Sequence, residues 1–173
     1  MSHHGPDDAT CTVRAFKAGL LAAAGHDLEF RLTRFSVEVE DDRIVGDFDA
    51  SSLVVVGALV DGRVAPGKLS PKDERDILDN IRKSVFNGHR AEAIHFEASE
   101  LDRDEDEVSG EGVLTIPPYS QPLSFLARVE EGRVVCELVL HQPDWGITPF
   151  KAPLGVLRIK PDLLVRIGLP WTD

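Results

Sequence analysis

The stretch from Val108 to His141, VSGEGVLTIPPYSQPLSFLARVEEGRVVCELVLH, decides the fold of this chain. It holds three apolar runs separated by residues that favour turns. Val108, Leu114 and Ile116 share one parity. Pro117, Pro118 and Pro122 then interrupt, because proline cannot donate to a sheet ladder and is confined to turns and edges. Leu123, Phe125, Ala127 and Val129 alternate with Ser124, Leu126 and Arg128 at the period of a half-buried strand, and Glu130-Glu131-Gly132-Arg133 reads as a tight polar turn. A third run, Val134 to His141, follows at once. Connections this short join antiparallel neighbours, so the stretch predicts a meander. Its single oily face needs more sheet to cover it.

Working outward, Gln142-Pro143-Asp144 breaks the third strand and Trp145-Gly146-Ile147 resumes an apolar surface. Trp145 and Phe150 lie on proline-containing loops beside the sheet, and Leu163, Val165 and Ile167 complete a last strand. On the other side, Ile94, Phe96 and Ala98 alternate with His95, Glu97 and Ser99, and Asp102 to Glu107 reads as a solvated turn. Ser70-Pro71-Lys72-Asp73 announces a helix over about 71–86: a serine N-cap, proline in the first turn, and acids at the positive end of the dipole. Ile77, Leu78, Ile81 and Val85 make its apolar side.

Further back, Ser51 to Val60 is strand-like, and Ile44, Gly46 and Phe48 alternate on another strand. Leu28, Phe30 and Leu32 share one parity while Phe35, Val37 and Val39 take the other, which implies a bulge or bend near Thr33-Arg34 of the kind curved sheets use at corners. Cys11 to Phe16 reads as a short strand with either face inward, residues 18–24 as a short helical turn, and residues 1–10 as a flexible tail ahead of one domain over 11–173. The pattern predicts an all-β, mainly antiparallel, up-and-down barrel of about eight strands with one amphipathic helix.

Thirty acidic against nineteen basic residues give a charge of −11, which excludes a phosphate-tracking surface for nucleic acid and sets the molecule as a whole against anionic membranes. No apolar run is long enough for a membrane span and the first residues carry no signal-peptide pattern, so a cytoplasmic location without stable membrane insertion is expected. Cys11 and Cys136 lie far apart in strand-like runs, and reduced buried thiols are expected of them.

GHDLEFRLTRF, the helix leading into AEAIHFEASEL, GEGVLTI followed by PLSFLARV, and a late DWGI occur in an order that resembles the YceI-like family over nearly the whole chain. The resemblance implies an extended lipocalin-like barrel whose interior holds a long apolar chain, such as a polyisoprenoid or a fatty-acid derivative. It puts the inward, ligand-facing alternation on Leu28, Phe30, Ile94, Phe96, Leu114, Phe125 and Leu138. Two departures stand out: this chain shows no export signal, and Pro117-Pro118-Tyr119-Ser120 replaces a plainer hairpin around a glycine.

Leu32 and Leu140 continue the same faces, and a ligand head group would meet His26, His141 and Trp145, with Phe150 alongside. No catalytic residues, metal site or cofactor are expected. His26 and Asp27 are adjacent and so point to opposite sides of a strand, and outside the His3-His4 pair the histidines lack zinc spacing. No nucleophile elbow or phosphate loop is present. The expected function is non-catalytic transport or sequestration of an apolar small molecule. The alternatives are an enzyme acting on such a lipid through His26 or His141, and an interaction module with a filled core. A homodimer is compatible with the sequence.

Overall fold

Residue alternation at period two becomes thirteen strands in a computed structural model that describes residues 1–18, 25–155 and 157–171. They are β1 (Ser2–His4), β2 (Thr10–Ala18), β3 (Asp27–Leu32), β4 (Phe35–Val39), β5 (Arg43–Phe48), β6 (Leu53–Val60) and β7 (Arg63–Ala65), then β8 (Ile94–Ser99), β9 (Asp102–Arg103), β10 (Glu107–Ile116), β11 (Tyr119–Glu130), β12 (Arg133–His141) and β13 (Arg158–Pro170). The ladder runs β1-β4-β5-β8-β10-β11-β12-β13-β2-β3-β6-β7, with β9 beside β10. Every pairing is antiparallel, and β10 to β13 form the expected meander.

The count exceeds the expected eight because bends break the early strands into pairs. β3 and β4 are separated only by Thr33 and Arg34, and β5 and β6 by Asp49 and the 3-10 turn Ala50–Ser52. Each half then pairs on a different flank: β4 with β1 and β5, β3 with β2 and β6. The two ends of the ladder are thereby consecutive in the chain, and the sheet curls into a barrel-like wall. The buried Ser52 hydroxyl fixes the corner by accepting from the Thr33 and Arg34 N–H groups (3.1 and 2.9 Å) while donating to the Asp49 carbonyl (2.6 Å). This is the phase slip of the sequence, seen as a bend.

Two further expectations are corrected. Residues 1–10 are not a free tail: Ser2, His3 and His4 pair with Val39, Glu38 and Val37, and Ala9 is buried. His4, 7% exposed, bridges Asp8 (2.7 Å from Nδ1) and the Ser2 hydroxyl (3.0 Å from Nε2), so polar residues that read as solvated latch the first strand down. Of the helical turn at 18–24 only Ala18 is described, and it ends β2; the rest lies outside the described residues. The main helix matches its expectation. α1 (Pro71–Asn80) begins in a Ser70–Asp73 capping box and continues as a π turn over Ile81–Val85.

β11 pairs with β12 only from Ala127↔Cys136 to Glu130↔Arg133, so Tyr119 to Leu126 lie along an edge of the ladder. That accounts for Pro122 inside a strand, since an edge tolerates a missing N–H. The turn Gln142–Trp145 fills the resulting splay. Trp145, 3% exposed, donates its indole N–H to the Leu114 carbonyl (2.9 Å), Gln121 donates to the Asp144 carbonyl (2.9 Å), and His89 Nε2 donates to the Trp145 carbonyl (2.7 Å). Leu114, Ile116 and Ile147 pack around the indole.

Trp145→Phe should cost about 1 kcal/mol by leaving the Leu114 carbonyl without its partner, and Trp145→Ala about 3–5 kcal/mol in urea unfolding. An unaltered midpoint for Trp145→Ala would contradict this role. Acid should unfold the protein in a defined window. The carboxyls of Asp8, Asp73 and Glu97 are held below their ordinary range chiefly by hydrogen bonds from His4, the Ser70 N–H and Arg43 respectively. Groups depressed in the folded state stabilise it above their unfolded pKa and lose that contribution as pH falls through the folded value. The melting temperature should therefore hold from neutrality to about pH 5 and fall below about pH 4; a fall that is complete above pH 5 would contradict the assignment.

Candidate functional site

The curled wall surrounds a partly open cavity of about 1330 Å³. Several inward positions are glycines over which aromatic rings lie along the wall. Gly46 and Gly112 face inward, and the Phe48 and Phe96 rings lie flat across them: a Cβ added at either would fall 2.6 or 2.7 Å from those rings. Phe125 lies the same way over Gly110 and meets Phe96 edge-on, with ring centres 5.9 Å apart. Three phenylalanines are thus laid against the wall instead of reaching across it. Among the described residues no large side chain is fully buried, as expected of an interior that is lined and not plugged.

Twelve of the ligand-facing residues expected from sequence lie on this cavity. Leu28, Phe30 and Leu32 project from β3, Ile94 and Phe96 from β8, Leu114 from β10, Phe125 from β11, and Leu138 and Leu140 from β12. Trp145 and Phe150 close one end, where the exposed His26 stands at the mouth. His141 is the correction. Because Leu138 and Leu140 point inward, strand alternation turns His141 outward, where its Nδ1 pairs with Asp162 at 2.6 Å in solvent.

The sequence reading missed the other half of the lining. Cys11, Val13 and Ala15 of β2 face inward, a phase the alternation had left open. Val165 and Ile167 of β13 carried the same period-two signal as their neighbours. The inner side of α1 and its π turn contributes Ile77, Asn80 and Ile81; periodicity marked Ile77 and Ile81 as apolar without saying what they covered and did not single out Asn80. Burial pushes the Cys11 thiol up to about 12 and that of Cys136 to about 11, so both remain protonated and act as small apolar wall elements.

The two ends differ in chemistry. At the helix end His26, Lys68, Asp73, Asp76, Asn80 and Lys151 surround the opening. His26 lies close enough to Asp73 to add to the lowering of its carboxyl, which comes first from the Ser70 backbone N–H. At the far end are Ser2, His4, Glu40, Asp41, Arg103 and Trp171. Arg103 clamps the β4–β5 turn there by donating to the Asp41 (3.0 Å) and Glu40 (2.6 Å) carbonyls.

Asp8, His4 and Ser2 form an acid–imidazole–hydroxyl chain near that end. Asp8 also accepts from the Gly5 N–H (2.9 Å), so the chain closes the turn between β1 and β2 and serves as a latch. His26 makes no hydrogen bond among the described residues, and Asp27, its sequence neighbour, accepts from the Lys17 N–H (2.8 Å) instead. Every buried side-chain N or O among the described residues has a partner, so no unsatisfied polar atom is aimed into the cavity. The arrangement is suited to surrounding an apolar chain along its length and meeting a polar group at either mouth.

No protein-family model matches the chain, and no curated protein matches it in sequence. Solved structures do match, among them the crystal structure of BcnA from Burkholderia cenocepacia, with a TM-score of 0.62 and 11% identity over 95% of this chain and 96% of that one. At that identity the likeness is one of fold: a curled antiparallel, barrel-like sheet.

Proposed function

We propose that this chain is a non-catalytic YceI-like binding protein that sequesters or carries a long apolar ligand, a polyisoprenoid, fatty acid or derivative, along the axis of its barrel. The observation that carries the reading is the volume and lining of the cavity. Open to solvent at its mouths, a hollow of about 1330 Å³ is accessible to water as well as to a ligand. The interior is therefore filled by water or ligand, and exchanging water for hydrocarbon against Leu, Ile, Val and Phe walls is favourable by about 25 cal/mol per Å². The family resemblance read from sequence supports the same conclusion, and the curled, barrel-like fold shared with BcnA is compatible with it.

The enzyme alternative has less support. It rested on His26 or His141, of which one makes no hydrogen bond among the described residues and the other points away from the cavity.

Native mass spectrometry and organic extraction of the purified protein should release a long-chain lipid at close to one per chain. Filling the lumen with Leu138→Trp should weaken binding of a long-chain fluorescent fatty acid at least tenfold, while the outward Glu137→Ala leaves it unchanged. A protein that releases no lipid and takes up neither fatty-acid nor isoprenoid probes would contradict the reading.

A further inference from the structure

The net charge is unevenly placed. All six lysines, Lys17, Lys68, Lys72, Lys83, Lys151 and Lys160, lie at the helix end of the barrel. The acidic turns at Glu40-Asp41-Asp42, Asp104-Glu105-Asp106 and Glu130-Glu131 gather at the other, although Asp73, Asp76, Asp144 and Asp162 also lie at the helix end. On α1 and its π turn Lys72 is matched by Asp76, and Arg82 and Lys83 share Asp79, while Arg75 has no ion pair among the described residues. Lys68, Lys151, Arg158 and Lys160 form no ion pair among the described residues.

Between Lys151 and Arg158 the chain makes a hairpin at the cavity mouth. Lys151 bridges to Arg158, and the Ala152 N–H donates to the Leu157 carbonyl (2.9 Å). At its tip Leu154 is 99% exposed, with φ 65°. It follows a proline, at the turn position where φ is positive and glycine or asparagine is the usual residue. A leucine there is strained and also exposes its whole side chain to water, so it serves neither the turn nor the core. An apolar side chain held outward at the opening of an apolar cavity, at the same end as cations that form no ion pair among the described residues, matches a surface with apolar depth and negative headgroups.

We propose that the helix end of the barrel docks on an anionic lipid surface, with Leu154 entering the acyl boundary and Lys68, Lys151, Arg158 and Lys160 meeting the headgroups. The chain's overall negative charge does not prevent this. β13, thirteen residues long, spans about 40 Å, which strand tilt reduces to about 30 Å along the barrel axis. The acidic turns thus sit more than three Debye lengths from the docked end at physiological salt, where the length is about 8 Å. Each lysine near such a surface contributes about fivefold in partitioning, so docking is reversible and peripheral. The proposal does not depend on the carrier reading: a barrel that takes up no lipid probe would still dock.

Flotation with phosphatidylcholine vesicles containing phosphatidylglycerol, in 0.15 M salt, against phosphatidylcholine alone tests it. The protein should bind the anionic vesicles at least tenfold more strongly. Combined Lys68→Glu, Lys151→Glu and Lys160→Glu should abolish the difference, and Leu154→Gly should weaken binding severalfold with an unchanged or raised melting temperature. Val139→Ser, which removes an exposed valine from the barrel wall, should have no effect. Equal binding to both vesicle types would overturn the proposal, as would anionic binding that survives Leu154→Gly and the lysine reversals together. Lysine-dependent retention on polyglutamate with none on vesicles would overturn it in favour of an acidic protein partner.

Discussion

The structure depends on one corner. Ser52 receives two consecutive backbone N–H groups, from Thr33 and Arg34, just where the chain would otherwise carry a straight strand onward. A continuous β3–β4 strand would keep a single parity inward and the sheet would stay open. The slip at Thr33-Arg34 instead sends β3 to one end of the ladder and β4 to the other, and the covalent chain joins the two ends. Thr33 adds its own hydroxyl bond to the Ser52 carbonyl (3.0 Å), so the bend exchanges ladder bonds for side-chain bonds without stranding the backbone. Curvature of the sheet, and hence the hollow inside it, follows from that exchange.

What keeps the hollow from collapsing is a choice of side chains. Gly46, Gly110 and Gly112 leave room for Phe48, Phe125 and Phe96 to lie along the wall, and the β2 face offers only Cys11, Val13 and Ala15. Filling the axis would need large residues on opposite walls at the same level. Trp145, a deeply packed aromatic ring, seals the splay between β11 and β12. The mouths are polar and the wall between them is apolar.

Much of this was legible in the residues because period-two alternation is a strong signal where one face is buried and the other wet. β3, β8, β10, β11 and β12 all declared their inward faces, and the capping box at Ser70 declared α1. Strand number was not legible, since a bend within a strand leaves the hydrophobic count intact and changes only the pairing. The docking of β1 was hidden for a related reason: Ser2, His4 and Asp8 satisfy one another, and a composition of polar residues reads as solvated until their hydrogen bonds are seen. His141 was misplaced because proximity to a loop outweighed the parity already fixed by Leu138 and Leu140.

Whether the interior is an open apolar lumen holding one long chain, as we propose, is decided by an electron-density map of the protein as purified. Continuous, unbranched density along the axis is expected, bounded by Phe96 and Phe125 on one side and Val165 on the other. Side chains interlocked across the axis with no space between them would contradict it.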